Sequence, residues 1–75
     1  MRKGITRYRR VSGGRIRSAR TGEGMSIEAL ADAVGVSRAA VGFYESGLRV
    51  PGANVVCNIA DVLGVTIDEL YEYID

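Results

Sequence analysis

Seventy-five residues are enough for one domain and exclude a second, because a core this small lies near the lower limit that folds without disulfides or metal. An apolar fraction of 47% excludes disorder throughout, and one cysteine with no histidine excludes an internal disulfide and a zinc set. The formal net charge of +1 hides a sorted chain: residues 1–20 carry eight basic side chains and no acid, residues 21–49 carry two bases against four acids, and residues 50–75 carry five acids and no base.

The opening segment, MRKGITRYRRVSG at residues 1–13, holds five basic side chains between glycines and has little to bury. It reads as a flexible basic arm, with a short strand over ITRYRRV as the alternative because β-branched and aromatic residues roughly alternate there. A first helix is expected from about Gly14 to Thr21, with Ile16 and Ala19 inward and Arg15, Arg17 and Arg20 around them. TGEG ends it, since two glycines in three residues interrupt a helix.

Ser26 is a good N-cap for a second helix, in which Ile27, Leu30, Ala31 and Val34 recur at helical spacing and form one buried stripe. Gly35 suits the left-handed position that stops this helix, Val36 plugs the turn, and Ser37 caps a third helix from Arg38 to Glu45. Two short helices joined by so short a turn make a helix-turn-helix. In the third helix Val41 and Tyr44 point inward.

Pro51 resets the chain before a fourth helix, ANVVCNIADVLG, whose apolar residues cover much of its circumference and suggest a central position. Cys57 lies among Val55, Val56 and Ile59 and is read as a packed thiol. Gly64 ends that helix, and Thr66 with Glu69 forms a T-x-x-E capping box for an expected fifth helix with Ile67, Leu70, Tyr71 and Ile74 on one face.

From about Gly14 to Leu70 these residues resemble the lambda-repressor-like helix-turn-helix domain of the Cro/CI or XRE type. The resemblance rests on GRIRSAR, GMSIEALADAVGVS, Val41, the pair Tyr44 and Glu45, Gly47, Pro51 and IADVLGVTIDEL standing in register. It implies an all-α, compact five-helix domain over residues 14–75, preceded by the basic arm of residues 1–13. It implies a partner too: double-stranded DNA, with the third helix in the major groove and usually a dimer on a near-palindromic site. In this family the residue matching Arg20 commonly pairs with the one matching Glu45, and a charge facing the end of helix three needs such a partner.

Carried over by register, the DNA-facing positions are Ser37, Arg38 and Ala39 at the start of helix three, Gly42 and Phe43 one turn on, and Ser46 with Arg49 beyond its end. Arg38 is the side chain here able to make a bidentate contact to guanine. Ala39 and Phe43 suit thymine methyl groups, and Gly42 lets the groove edge come close. The family's usual Gln at the start of helix two is replaced by Ile27, so a phosphate anchor is missing. Arg7, Arg9 and Arg10, with Tyr8 between them, are expected to follow the backbone or enter the minor groove.

The acidic end should point away from DNA. Tyr71, Tyr73 and Ile74 exceed what so small a core needs, which suggests a homodimer contact through the fifth helix; sealing the base of the domain is the simpler account. Two other functions compete with a transcriptional regulator or repressor. One is a protein-interaction module using Ile27, Gly42 and Phe43 as an apolar face for a protein partner. The other is an RNA-binding arm built on RYRR, for which no aromatic platform exists. No catalytic set, phosphate loop or cofactor motif is present, which argues against an enzyme. No apolar run approaches the roughly 18 residues of a membrane span, and the basic start lacks a signal peptide's apolar stretch, so a cytoplasmic protein is expected.

Overall fold

A computed structural model describes residues 8–74. The elements in chain order are strand β1 (Tyr8–Val11), helices α1 (Gly13–Gly22), α2 (Ile27–Val34), α3 (Arg38–Ser46) and α4 (Ala53–Leu63), a single 3-10 turn (Asp68–Leu70), and strand β2 (Tyr71–Ile74). The helices surround one core in which Ile16, Leu30, Val41, Val56, Ile59, Leu63 and Leu70 are almost fully buried.

The first three helices begin where a serine hydroxyl can accept an orphan backbone N–H, whereas α4 starts after Gly52 with no side-chain cap. Ser26 and Ser37 accept from the amides of Ala29 and Ala40 at 3.0 Å, as expected from sequence. Ser12 does the same for α1, accepting from the Arg15 amide at 3.1 Å, so that helix starts at Gly13. Gly35, Gly47 and Gly64 each take a left-handed conformation just past a helix end, with φ of 87°, 83° and 68°.

The expected fifth helix does not form. Its capping box does: the Thr66 amide donates to Glu69 Oε2, and the Glu69 amide donates to Thr66 Oγ1 at 3.2 Å. Only one 3-10 turn follows, after which Tyr71–Ile74 pairs antiparallel with Tyr8–Val11 in the register Tyr8↔Ile74, Arg9↔Tyr73, Arg10↔Glu72 and Val11↔Tyr71. The domain therefore has four helices and a two-stranded ribbon. YEYI is rich in residues that fit a pleated surface, and a helix of this length is marginal, so a ready partner strand decides the outcome. Leu70 still reaches the core, whereas Ile67 is exposed.

Two further expectations change. Residues 8–11, read as part of an arm with a short strand as the alternative, take the strand and open the ribbon, and Arg7 lies outside the described residues. Cys57 is exposed rather than packed, because α4 buries the stripe Val56, Ile59, Ala60 and Leu63 and turns Asn54, Cys57, Asn58 and Asp61 to solvent.

Candidate nucleic-acid interface

α2 and α3 are held against each other by the short turn through Gly35, Val36 and Ser37, with Val36 half-buried against the core as the turn's plug. The α3 sequence then divides by face. Val41 and Glu45 are buried, while Arg38, Ala39 and Ser46 are exposed and Gly42 and Phe43 half-buried. Positions 38, 39, 42, 43 and 46 share one side by helical spacing, so the predicted contact residues of α3 form a continuous outward stripe. Arg49 joins it from the following loop, its guanidinium 4.9 Å from the centre of the Phe43 ring. A methyl group added to Gly42 would meet nothing within 4 Å, so packing within the chain does not call for a glycine there.

Glu45, the acid of α3, is withdrawn from this surface. Its side chain is 1% exposed and receives Arg20 Nε at 2.6 Å, Arg20 Nη2 at 3.0 Å and Arg17 Nε at 3.3 Å. Burial pushes this carboxyl up, but the hydrogen bonds and charges of Arg20 and Arg17 together outweigh it and hold it below the ordinary glutamate value. Arg20 also donates to the Met25 carbonyl at 2.9 Å, which ties the end of α1 to the start of α2.

The ribbon sorts its charges in the same way. Arg9 reaches Asp68 at 2.8 Å and lies over the rings of Tyr71 and Tyr73, and Arg10 reaches Glu72 at 2.8 Å. Opposed pairs share a face of the ribbon, so Arg9 stands with the tyrosines and Arg10 with Glu72. Among the described residues, Arg15, Arg38 and Arg49 are the arginines that form no ion pair with a carboxylate. Two of these three bracket the stripe on α3.

A helix-turn-helix family model matches residues 16–70. The chain belongs to the lambda-repressor-like helix-turn-helix family. Within the family it is 41% identical over 58 residues to YazB of Bacillus subtilis, an uncharacterized HTH-type transcriptional regulator, covering 77% of this chain and 84% of that one. It is similar to the restriction-modification controller protein C.AhdI of Aeromonas hydrophila, at 36% identity and a TM-score of 0.74 over 77% of this chain and 88% of that one. It is also similar to the P22 c2 repressor, whose structure was solved in complex with a synthetic operator, at 28% identity and a TM-score of 0.76 over 81% and 92% of the two chains.

Against this helix-turn-helix frame, the predicted residues fall into two groups. Ser37, Arg38, Ala39, Gly42, Phe43, Ser46 and Arg49 lie on or beside α3, although the Ser37 and Ser46 hydroxyls are already engaged, the first as a cap and the second with the Phe43 carbonyl at 3.2 Å. Arg9 and Arg10 lie on the ribbon. An open groove of about 490 Å³ connects the two groups, with Arg10, Ser12 and Glu72 on one side and Ser46, Gly47 and Arg49 on the other. Ile27, at the place of the family's usual glutamine, is half-buried against the core. Tyr71 and Ile74 do not share the helical face expected of them, since they alternate along a strand and lie on opposite sides of the ribbon.

Sequence reasoning did not find Asp68 and Glu72 as partners of the basic segment. The signal was available in the opposed charges of RYRR and DELYE, but pairing them requires knowing that the two segments are neighbours. No helix is long and apolar enough to cross a membrane among the described residues.

Proposed function

We propose that this protein is a sequence-preferring transcriptional regulator that binds double-stranded DNA and acts as a repressor, with α3 in the major groove. The carrying observation is the outward stripe of α3, which bears no exposed acid and is bracketed by Arg38 and Arg49, neither of them committed to a carboxylate. The operator-bound P22 c2 repressor, a relative of similar fold, supports the same reading.

In this reading Arg38 makes a bidentate contact to guanine O6 and N7. Ala39 and Phe43 meet thymine methyl groups, and Gly42 admits the groove edge. Ser46, the Gly47 amide and Arg49 face phosphates, with Ser37 at the helix start. Arg7, Arg9 and Arg10 add phosphate or minor-groove contacts, the last two by exchanging Asp68 and Glu72 for DNA. Two copies occupy a near-palindromic site, as is usual for this type of domain. The setting is cytoplasmic. The rival reading, an apolar docking face for a protein, loses one of its three members because Ile27 packs inward.

The test is anisotropy with random-sequence duplex DNA as salt is varied, followed by enrichment from a random pool. Steep salt dependence and an enriched palindrome are expected, and Arg38→Ala should reduce discrimination at one base pair by about 1 to 3 kcal/mol. Tight binding without enrichment would leave a nonspecific DNA-binding protein, and no binding would end the DNA reading.

A further inference from the structure

Phe43 is an unusual residue for an outward helical position, and its surroundings give it a second task. Its carbonyl accepts both the Ser46 hydroxyl at 3.2 Å and the Arg49 amide at 3.2 Å. Gly47, with φ of 83°, turns the chain back at the end of α3, so Arg49 returns beside the last turn it has just left. The guanidinium then rests 4.9 Å from the centre of the Phe43 ring. A cation over a ring face is attracted by the ring's quadrupole, and an arginine held there still has N–H groups available at the edge of its plane. Arg9, Arg10, Arg17 and Arg20 spend those groups on carboxylates, but Arg49 does not.

We propose that Phe43 is a positioning residue for Arg49: the ring holds the guanidinium at the end of α3, where its free N–H edge takes a DNA phosphate. The inference rests on the DNA-binding reading above and adds a coupling between two residues that the reading treats separately. It makes the aromatic ring part of a phosphate contact, and this second contribution, unlike its contact with thymine methyl groups, does not depend on the base beneath it. Lysine at position 49 would keep the charge without the planar fork and should serve less well.

The experiment uses the full chain and a random-sequence duplex, with affinity measured across salt concentrations for Phe43→Ala, Phe43→Leu, Phe43→Trp, Arg49→Ala and the Phe43→Leu/Arg49→Ala double variant. Arg49→Ala should flatten the plot of log K against log salt by about 0.9. Phe43→Leu, which changes no charge, should weaken binding about two- to tenfold, and removing Arg49 from that background should cost little more. Phe43→Trp should restore binding that Phe43→Ala and Phe43→Leu lack. The ring-current shift of the Arg49 side-chain protons, read by NMR, should be present in the wild type and lost in Phe43→Leu. Independent, additive losses from the two single variants, or an Arg49 spectrum indifferent to residue 43, would overturn the coupling while leaving DNA binding intact. Absence of wild-type binding would overturn the DNA reading and the coupling together.

Discussion

Arg20 on α1 grips Glu45 on α3 through two contacts, Nε to Oε2 at 2.6 Å and Nη2 to Oε1 at 3.0 Å, with the side chains 11% and 1% exposed. The carboxylate is thus taken fully out of water and relies on its partners for solvation. Removing one member of such a pair leaves the other charge buried and unpaired, a loss of about 3 to 5 kcal/mol. Arg20→Ala should therefore destabilise strongly, because only the largely exposed Arg17 would remain for Glu45. Glu45→Ala should also cost far more than Glu28→Ala, which removes only a favourable charge in the first turn of α2 worth about 0.3 to 1 kcal/mol. Chemical denaturation compares them directly; equal midpoints for the two glutamate variants would remove the structural role assigned to the pair.

The same pair sets the response to acid. Glu45 has a folded-state pKa below its ordinary value of 4.5, so the folded state binds its proton less readily than the unfolded chain does. Its stabilising contribution is complete above about pH 4.5 and is lost as pH falls through the lower folded value. Unfolding midpoints followed from neutral pH downward should fall over that range. Glu45→Gln, less stable at neutral pH, should show a shallower decline; a parallel decline would assign the acid response to other carboxylates.

Gly13 faces the other end of the same helix contact. A Cβ built there would press into the backbone carbonyl oxygens of Tyr44 and Glu45, where no flexible side chain can give way. Gly13→Ala should cost about 1 to 3 kcal/mol through forced separation of α1 from α3. Gly14→Ala, whose nearest neighbour would be the Ser12 hydroxyl at 3.8 Å, should be neutral or slightly stabilising. Melting curves of the two variants make the comparison, and a well-tolerated Gly13→Ala would mean the helices part easily.

The ribbon arginines give a prediction for binding. Asp68 and Glu72 hold Arg9 and Arg10 at 2.8 Å each, in competition with any phosphate. Asp68→Asn/Glu72→Gln should raise affinity for duplex DNA and steepen the salt slope by up to about 0.9 for each arginine freed. Melting should change little, since exposed pairs hold a fold weakly. A double variant with wild-type affinity and slope would remove Arg9 and Arg10 from the interface.

What could be read from the sequence was local. Ser26, Gly35, Ser37 and Gly64 act on neighbours within four residues, so their roles as caps and stops followed from spacing alone. The Thr66 and Glu69 box was also read correctly as chemistry, yet it opens one turn instead of a helix. What ends that turn is pairing with a strand far away in sequence, which no local pattern encodes. Cys57 failed for a related reason: a run of apolar residues says that a helix has a buried side, but its neighbours decide how wide that side is. On the candidate interface, the stripe of α3 was legible from the register of the family resemblance, and helical spacing then places its members on one side. The contact of Arg49 with Phe43 was not, because a turn returns the chain to its own helix.

The ribbon joins segments 66 residues apart, Tyr8 opposite Ile74, whereas the helices between them pack on partners that are closer in the chain. During synthesis the four helices can emerge and begin to pack while β1 still has nothing to bond to. Its partner edge does not exist until β2 has left the ribosome, so ribbon closure cannot precede synthesis of that segment. Over that interval Arg9 and Arg10 are without Asp68 and Glu72, and the nascent chain presents more uncompensated positive charge than the finished domain does.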